Sequence, residues 1–175
     1  MLRLIADIQA APRARLNGRE YDIYSVGENG FFLKADLIRE VADGLTEMLE
    51  PELRNDAKLC AIAPGGNPWG LLVAHALGKP LHVLRPHLSR DGQGFKLRTE
   101  KFEDGDIVAE NLVENDSVVV LDDVIGSGRV ARKVIQWSIK SKLQIKAFCT
   151  IVDKGTGGGD LLAEQKIQAR SLLQL

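Results

Sequence analysis

Asp122 and Asp123 stand side by side after the apolar run Val118-Val119-Val120-Leu121 and shortly before Gly126-Ser127-Gly128. Residues of these types in this order suit one kind of chemistry. The glycines let the backbone come close to a phosphate and turn amides toward it. Ser127 adds a hydroxyl donor, and a helix opening straight after the turn adds partial positive charge from its first amides. The acids place oxygen acceptors beside that cradle, where they can hold sugar hydroxyls or reach a magnesium ion through water. A plainer reading has the acids cap a helix and the glycines make a turn. The combination of strand, acid pair, small-residue turn and helix is more specific than that. Pro64-Gly65-Gly66, after the apolar stretch Lys58–Ala63, is a second turn of the same kind.

The flanking sequence predicts the elements that must carry these turns. Residues 20–24 and 31–33 read as short strands around a turn at Gly27–Gly30. Leu37, Ile38, Val41, Leu45, Met48 and Leu49 recur at helical spacing, and Pro51 is expected to stop that helix. Lys58–Ala63 is a buried strand. Asn67 is expected to cap the next helix, with Pro68 at its first position and Gly78 at its end. Leu81–Leu84 is a strand. Residues 86–106 form a long polar segment of a kind that is usually functional or disordered, with short strands possible at 95–98 and 107–109. Ser117–Leu121 reads as a strand buried on both faces, as in the centre of a parallel sheet, and Asp122–Gly128 as a loop. A helix from Val130, a strand over 145–152, a short helix at 161–164 and a strand over 168–173 complete the chain. Strands alternating with helices predict an α/β fold with a mainly parallel central sheet flanked by helices.

Length and composition set bounds. A chain of 175 residues predicts a single domain, and a formal charge of −1 gives no global field for nucleic acid or anionic lipid. No apolar run approaches the ~18 residues of a membrane span. Cys60 and Cys149 lie in apolar stretches and read as buried free thiols. A reducing cytoplasm fits these features. His75, His82, Trp69 and Trp137 read as structural residues. A receiver domain is disfavoured because several strands precede the acid pair. A dinucleotide-binding fold is disfavoured because no Gly-x-Gly-x-x-Gly follows the first strand.

Val118–Gly128 resembles the phosphoribosyl pyrophosphate signature of type I phosphoribosyltransferases, and Ala63–Gly70 is similar to the pyrophosphate loop of that family. Ile151–Gly158, Asp160-Leu161-Leu162 and Ala169–Leu175 resemble the end of orotate phosphoribosyltransferases. The likeness covers roughly residues 58–175 and implies the family's fold, with residues 1–34 as a hood on the core. It implies that Asp122 and Asp123 grip the ribose hydroxyls. Val124, Ile125, Gly126, Ser127, Gly128, Arg129 and Val130 line the 5-phosphate loop, and Pro64, Gly65 and Gly66 contact the pyrophosphate. Arg85 and Arg90 stand toward the leaving group, and Lys154 at the base. Magnesium would be held mainly by the substrate, and a homodimer is implied.

The sequence departs from the family pattern at three places. Val130 stands where a Thr is usual, and Lys154 where orotate enzymes typically place an Arg. Pro86 stands where a Lys is common in the mobile loop; Arg85, His87, Arg90 and Lys96 are the basic groups that can substitute there. The expected reaction is displacement at sugar C1 by a base nitrogen as pyrophosphate leaves, with an orotate-type acceptor. Alternatives are a purine acceptor, or a module that binds the donor or a nucleotide without turnover.

Overall fold

The computed structural model describes residues 13–16, 19–22, 35–86, 107–109 and 111–175. β1 (Arg13–Leu16) and β2 (Arg19–Asp22) form an antiparallel pair with Leu16 opposite Arg19. Asn17-Gly18 is then all that separates them, the strongest short-range hairpin signal a sequence carries. The strand expected over 20–24 is present as β2 over 19–22, residues 23 and 24 lie outside the described residues, and β1 is an addition to the sequence expectation. The turn expected at 27–30 and the strand expected at 31–33 lie outside the described residues, as does the possible strand at 95–98.

α1 (Ala35–Arg54) does not stop at Pro51. Leu37, Val41, Leu45, Leu49 and Leu53 form one buried stripe, and Leu53 lies beyond the proline. A proline inside a helix costs ~3 kcal/mol when its missing N–H and ring disturb a packed turn. Here both Pro51 and Glu47, whose carbonyl loses its donor, are exposed, so water can serve that carbonyl. Burying Leu53 offsets much of the remainder, at about 1.5–3 kcal/mol.

β3 (Lys58–Ile62) leads through the turn at 63–66 into α2 (Asn67–Leu77). The capping position is Gly66, not Asn67, which is the first helical residue, and no side chain caps this end. The Asn67 N–H instead donates to the Pro64 carbonyl at 3.3 Å. The turn already has helical hand, so the cap moves back one residue. Gly78 closes α2 in the left-handed conformation, as its sequence position predicts. β4 (Leu81–Pro86), β5 (Ile107–Val108), β6 (Ser117–Ile125), α3 (Arg129–Lys140), β7 (Gln144–Asp153), α4 (Gly158–Glu164) and β8 (Gln168–Gln174) follow. β6 runs to Ile125, so Asp122 and Asp123 belong to the strand rather than to the loop expected there. Asp122 and Val124 both pair with β7, which holds the strand extended past the acids.

The main sheet has six strands in the order β5-β4-β3-β6-β7-β8, parallel except for the β4–β5 pairing. One core packs Val119 and Leu121 of β6 with α1 and α2 residues. The other packs Val118 and Val120 with Val134 and Trp137 of α3 and Leu162 of α4. β6 is therefore buried on both faces, as its apolar run predicts. Among the described residues no helix is long and apolar enough to cross a membrane.

Candidate functional site

The chain winds outward from β3 to β4, and from β6 through β7 to β8 in the other direction. Strand order therefore reverses between β3 and β6. In open α/β sheets that reversal leaves a crevice at the carboxyl edge, because the following segments diverge to opposite sides. The two turns singled out by sequence are the two that border it.

The first turn packs closely against the end of β6, just before the second turn begins. A Cβ placed on Gly65 would lie 2.6 Å from the Asp123 carboxylate, and one on Gly66 would lie 2.3 Å from the Leu121 carbonyl oxygen. Only glycine fits at 66, where the obstacle is backbone; a side chain at 65 would have to displace the Asp123 carboxylate. The first turn is held by the Ala63 N–H donating to the Leu84 carbonyl and the Gly66 N–H donating to the Ile62 carbonyl, both at 2.8 Å. The Ala63–Pro64 peptide within it is cis.

Asp122 is buried, and its Oδ1 accepts from the Asp123 N–H at 3.0 Å. Asp123 is half-buried, and its Oδ1 accepts from the Val124 N–H at 2.8 Å. Burial pushes the Asp123 carboxyl above its ordinary range, against the opposing pull of the Asp122 side chain, nearby amides and the Lys154 charge. Asp123 is thus a desolvated acceptor pressed against the Gly65 turn.

Beyond Ile125 the chain turns through Gly126-Ser127-Gly128 into α3. Gly128 caps that helix with a φ of 78°, and a Cβ there would meet Leu161 at 3.0 Å and the Gly158 Cα at 3.1 Å. No acidic residue occupies the first turn of α3, so its amide end is unopposed by local negative charge. A cavity of about 290 Å³ lies over this bend. It is lined by Asp122, all residues from Val124 to Ala131, Phe148, Lys154 and Thr156.

Most of the predicted residues therefore meet in one place. Lys154, after β7, reaches over the bend, with its Cδ 3.8 Å from where a Gly126 Cβ would stand. Val130 lines the cavity and offers no hydroxyl. Arg85 is exposed on β4, two strands from β6, and does not line this cavity. Arg90, with His87 and Lys96, lies outside the described residues.

Sequence reading missed Thr156. Its Oγ1 is 3.6 Å from the Gly126 Cβ position, above the same bend as Ser127. It sits in a Gly-rich stretch of its own, so only the fold brings it there. Among the described residues no group of three or more His, Cys, Asp and Glu side chains is placed to hold a metal ion. Two acids beside an amide cradle fit a cation that arrives with a polyphosphate and keeps much of its water, rather than a resident ion.

No family model matches the chain. It is 29% identical over 148 residues to the orotate phosphoribosyltransferase of Aeropyrum pernix, covering 85% of this chain and 69% of that one. It is 22% identical over 154 residues to a hypoxanthine/guanine phosphoribosyltransferase of Methanosphaerula palustris, covering 87% and 84%. The crystal structure of the Aeropyrum pernix orotate enzyme superposes with a TM-score of 0.71 at 25% identity, over 100% of this chain and 94% of that one. That of adenine phosphoribosyltransferase from Thermoanaerobacter pseudethanolicus gives 0.73 at 16% identity over the whole of both chains.

Proposed function

We propose that this chain, whose sequence and fold resemble those of type I phosphoribosyltransferases, binds phosphoribosyl pyrophosphate in its cavity and transfers the 5-phosphoribosyl group to a nucleobase. The observation that carries this reading is the first turn packed on the acid pair at the end of β6, at the strand-order reversal, with Gly65 against Asp123 and the amide cradle following on the same chain segment. In this reading Asp122 and Asp123 accept hydrogen bonds from the ribose 2- and 3-hydroxyls. The amides of 126–130, with Ser127, Arg129 and Thr156, hold the 5-phosphate. Pro64-Gly65-Gly66 is assigned to the pyrophosphate, and Arg85 and Arg90 are the basic residues proposed to act on the same leaving group.

The chain's task is positioning. The ribose is fixed by the carboxylates and the phosphate by the amides, so C1 is presented to a base nitrogen as its bond to pyrophosphate breaks. Magnesium, carried by the donor, neutralises charge on the leaving pyrophosphate. No covalent intermediate with the protein is required. We take the chain to work as one domain, with 1–34 as a hood, and as a cytoplasmic homodimer, in keeping with its buried free thiols.

Lys154 informs the choice of base. An ammonium group only donates, so it suits bases with oxo or carboxylate oxygens and gives nothing to an exocyclic amine. Orotate is the first choice, because the relative of highest identity among those named acts on it and the C-terminal segment resembles that group. A 6-oxopurine is the second, because other relatives carry that activity in their names.

The test is a panel of orotate, uracil, hypoxanthine, guanine, xanthine and adenine with donor and magnesium, scored for nucleotide and pyrophosphate. Orotate or an oxopurine is expected to turn over and adenine is not. Donor binding with no pyrophosphate released from any base would instead identify a donor-sensing module.

A further inference from the structure

A second cavity, of about 510 Å³, opens between the outer strands and α4, behind the phosphate bend. Ile125 and Phe148 line both cavities and separate them. The floor of the second is two cross-strand pairs, Phe148 with Ala169 and Thr150 with Ser171. Thr150 is only 1% exposed, yet its hydroxyl has no partner. A buried hydroxyl without a partner is costly, and this one stands on the face that borders the cavity.

The wall adds the carboxylates of Asp153 and Asp160 and the glycine backbone between them. Among the described residues the one cation in the lining, Arg170, is already committed. Its Nη1 donates to Glu52 Oε2 at 2.8 Å and to the Met48 carbonyl at 2.9 Å, and its Nη2 donates to Gln168 at 2.7 Å. The cavity thus offers acceptors and hydroxyls above an aromatic and apolar floor, with no cation among the described lining residues left for a phosphate. That chemistry suits a flat, uncharged ring with N–H donors joined to a hydroxylated group.

We propose that this cavity binds an uncharged nucleoside lacking phosphate, and that binding there tightens the grip of the phosphate bend on its ligand. The second half rests on the function proposed above; the first does not. The physical link is the segment 154–158, which is shared by the two cavities. Its outer side carries Lys154 and Thr156 over the bend, and Gly155 and Gly157 line the second cavity. The Lys154 N–H donates to the Ile125 carbonyl and the Gly158 N–H to the Gly126 carbonyl, each at 2.9 Å. The Gly155 N–H donates to Asp153 Oδ1 at 2.8 Å. A ligand packed on this wall favours the one arrangement of the segment that keeps Lys154 and Thr156 in place.

The experiment is calorimetric titration of adenosine, guanosine, cytidine and uridine into the full chain, with and without saturating phosphoribosyl pyrophosphate and magnesium. One nucleoside is expected to bind once per chain while the donor is bound. It should lower the donor Kd at least three-fold, and the donor should lower the nucleoside Kd by the same factor, as linkage requires. Its 5′-monophosphate, added with donor present, should bind at least ten-fold more weakly. Thr150→Val, which keeps the shape and removes the hydroxyl, and Ser171→Phe, which fills the cavity, should each weaken the nucleoside at least ten-fold. Neither should alter donor affinity measured without nucleoside. The assignment is overturned if no nucleoside binds the folded chain at millimolar concentration, if donor displaces it, or if folded Thr150→Val binds it as the wild type does. A chain that binds nucleoside but never the donor overturns the transferase reading and leaves the cavity assignment standing.

Discussion

At the scale of single residues, Asp123 is where stability and the proposed binding role oppose one another. Burial raises its carboxyl above the ordinary 3.8, so the folded chain holds that proton more tightly than the unfolded chain does. The stability linked to this group is present below the ordinary value and is lost as pH rises through the folded value. At neutral pH the charged, desolvated carboxylate therefore weakens the empty protein. Asp123→Asn should raise the melting temperature of the donor-free chain by about 1–3 °C at neutral pH. The gain should vanish below the ordinary carboxylate value. The same variant should bind phosphoribosyl pyrophosphate at least ten-fold more weakly; thermal melts across pH and donor titrations read both effects. Unchanged donor affinity in a folded variant removes the role given to Asp123. Thr156 offers a second residue-scale test. Losing one hydroxyl bond to a phosphate costs about 1–3 kcal/mol. Thr156→Val should raise the donor Kd roughly five-fold or more, and adding Val130→Thr should recover part of that loss, because both hydroxyls would face one bend.

At the scale of elements, an ion pair joins β8 to α1. Arg170 makes a two-pronged contact with Glu52, and both side chains are largely shielded from solvent. The Arg170 hydrogen bond holds the Glu52 carboxyl below its ordinary value of 4.5. A depressed carboxylate contributes stability that is present above the ordinary value and lost as pH falls through the folded value. Arg170→Met should cost about 1–3 kcal/mol at neutral pH, since it leaves Glu52 poorly solvated and unpaired. Its deficit should shrink as pH drops below 4.5. Denaturant unfolding at neutral and acid pH checks this, and an equal deficit at both would mean that packing, not charge, is what Arg170 supplies. Pro51 belongs to this scale too. The residue is a helix stop by local rule, but the buried Leu53 beyond it makes the longer helix the better solution for the whole element.

At the scale of the molecule, one sheet with a core on each face holds everything in register. Cys60 points into one core and Cys149 into the other, both within central strands. Burial pushes each thiol up to about 12, so almost no thiolate exists at neutral pH. Both should resist a thiol reagent at pH 8 in the native protein. They should then label together at one rate under mild denaturant, because exposing either requires opening the sheet. Labelling of one without the other would show that the two faces come apart separately. The α/β class, the strand buried on both faces over 118–121 and the glycine-rich turn that follows it were legible from the amino-acid order alone, because burial pattern and turn composition are local properties. The sequence also identified Pro64-Gly65-Gly66 as a turn, but not that Gly65 lies against Asp123. It could not place Thr156, Thr150 or Ser171 beside their cavities, or extend α1 past Pro51. Those outcomes come from strand order and from contacts between residues far apart in the chain, and no local pattern encodes which distant backbone will approach.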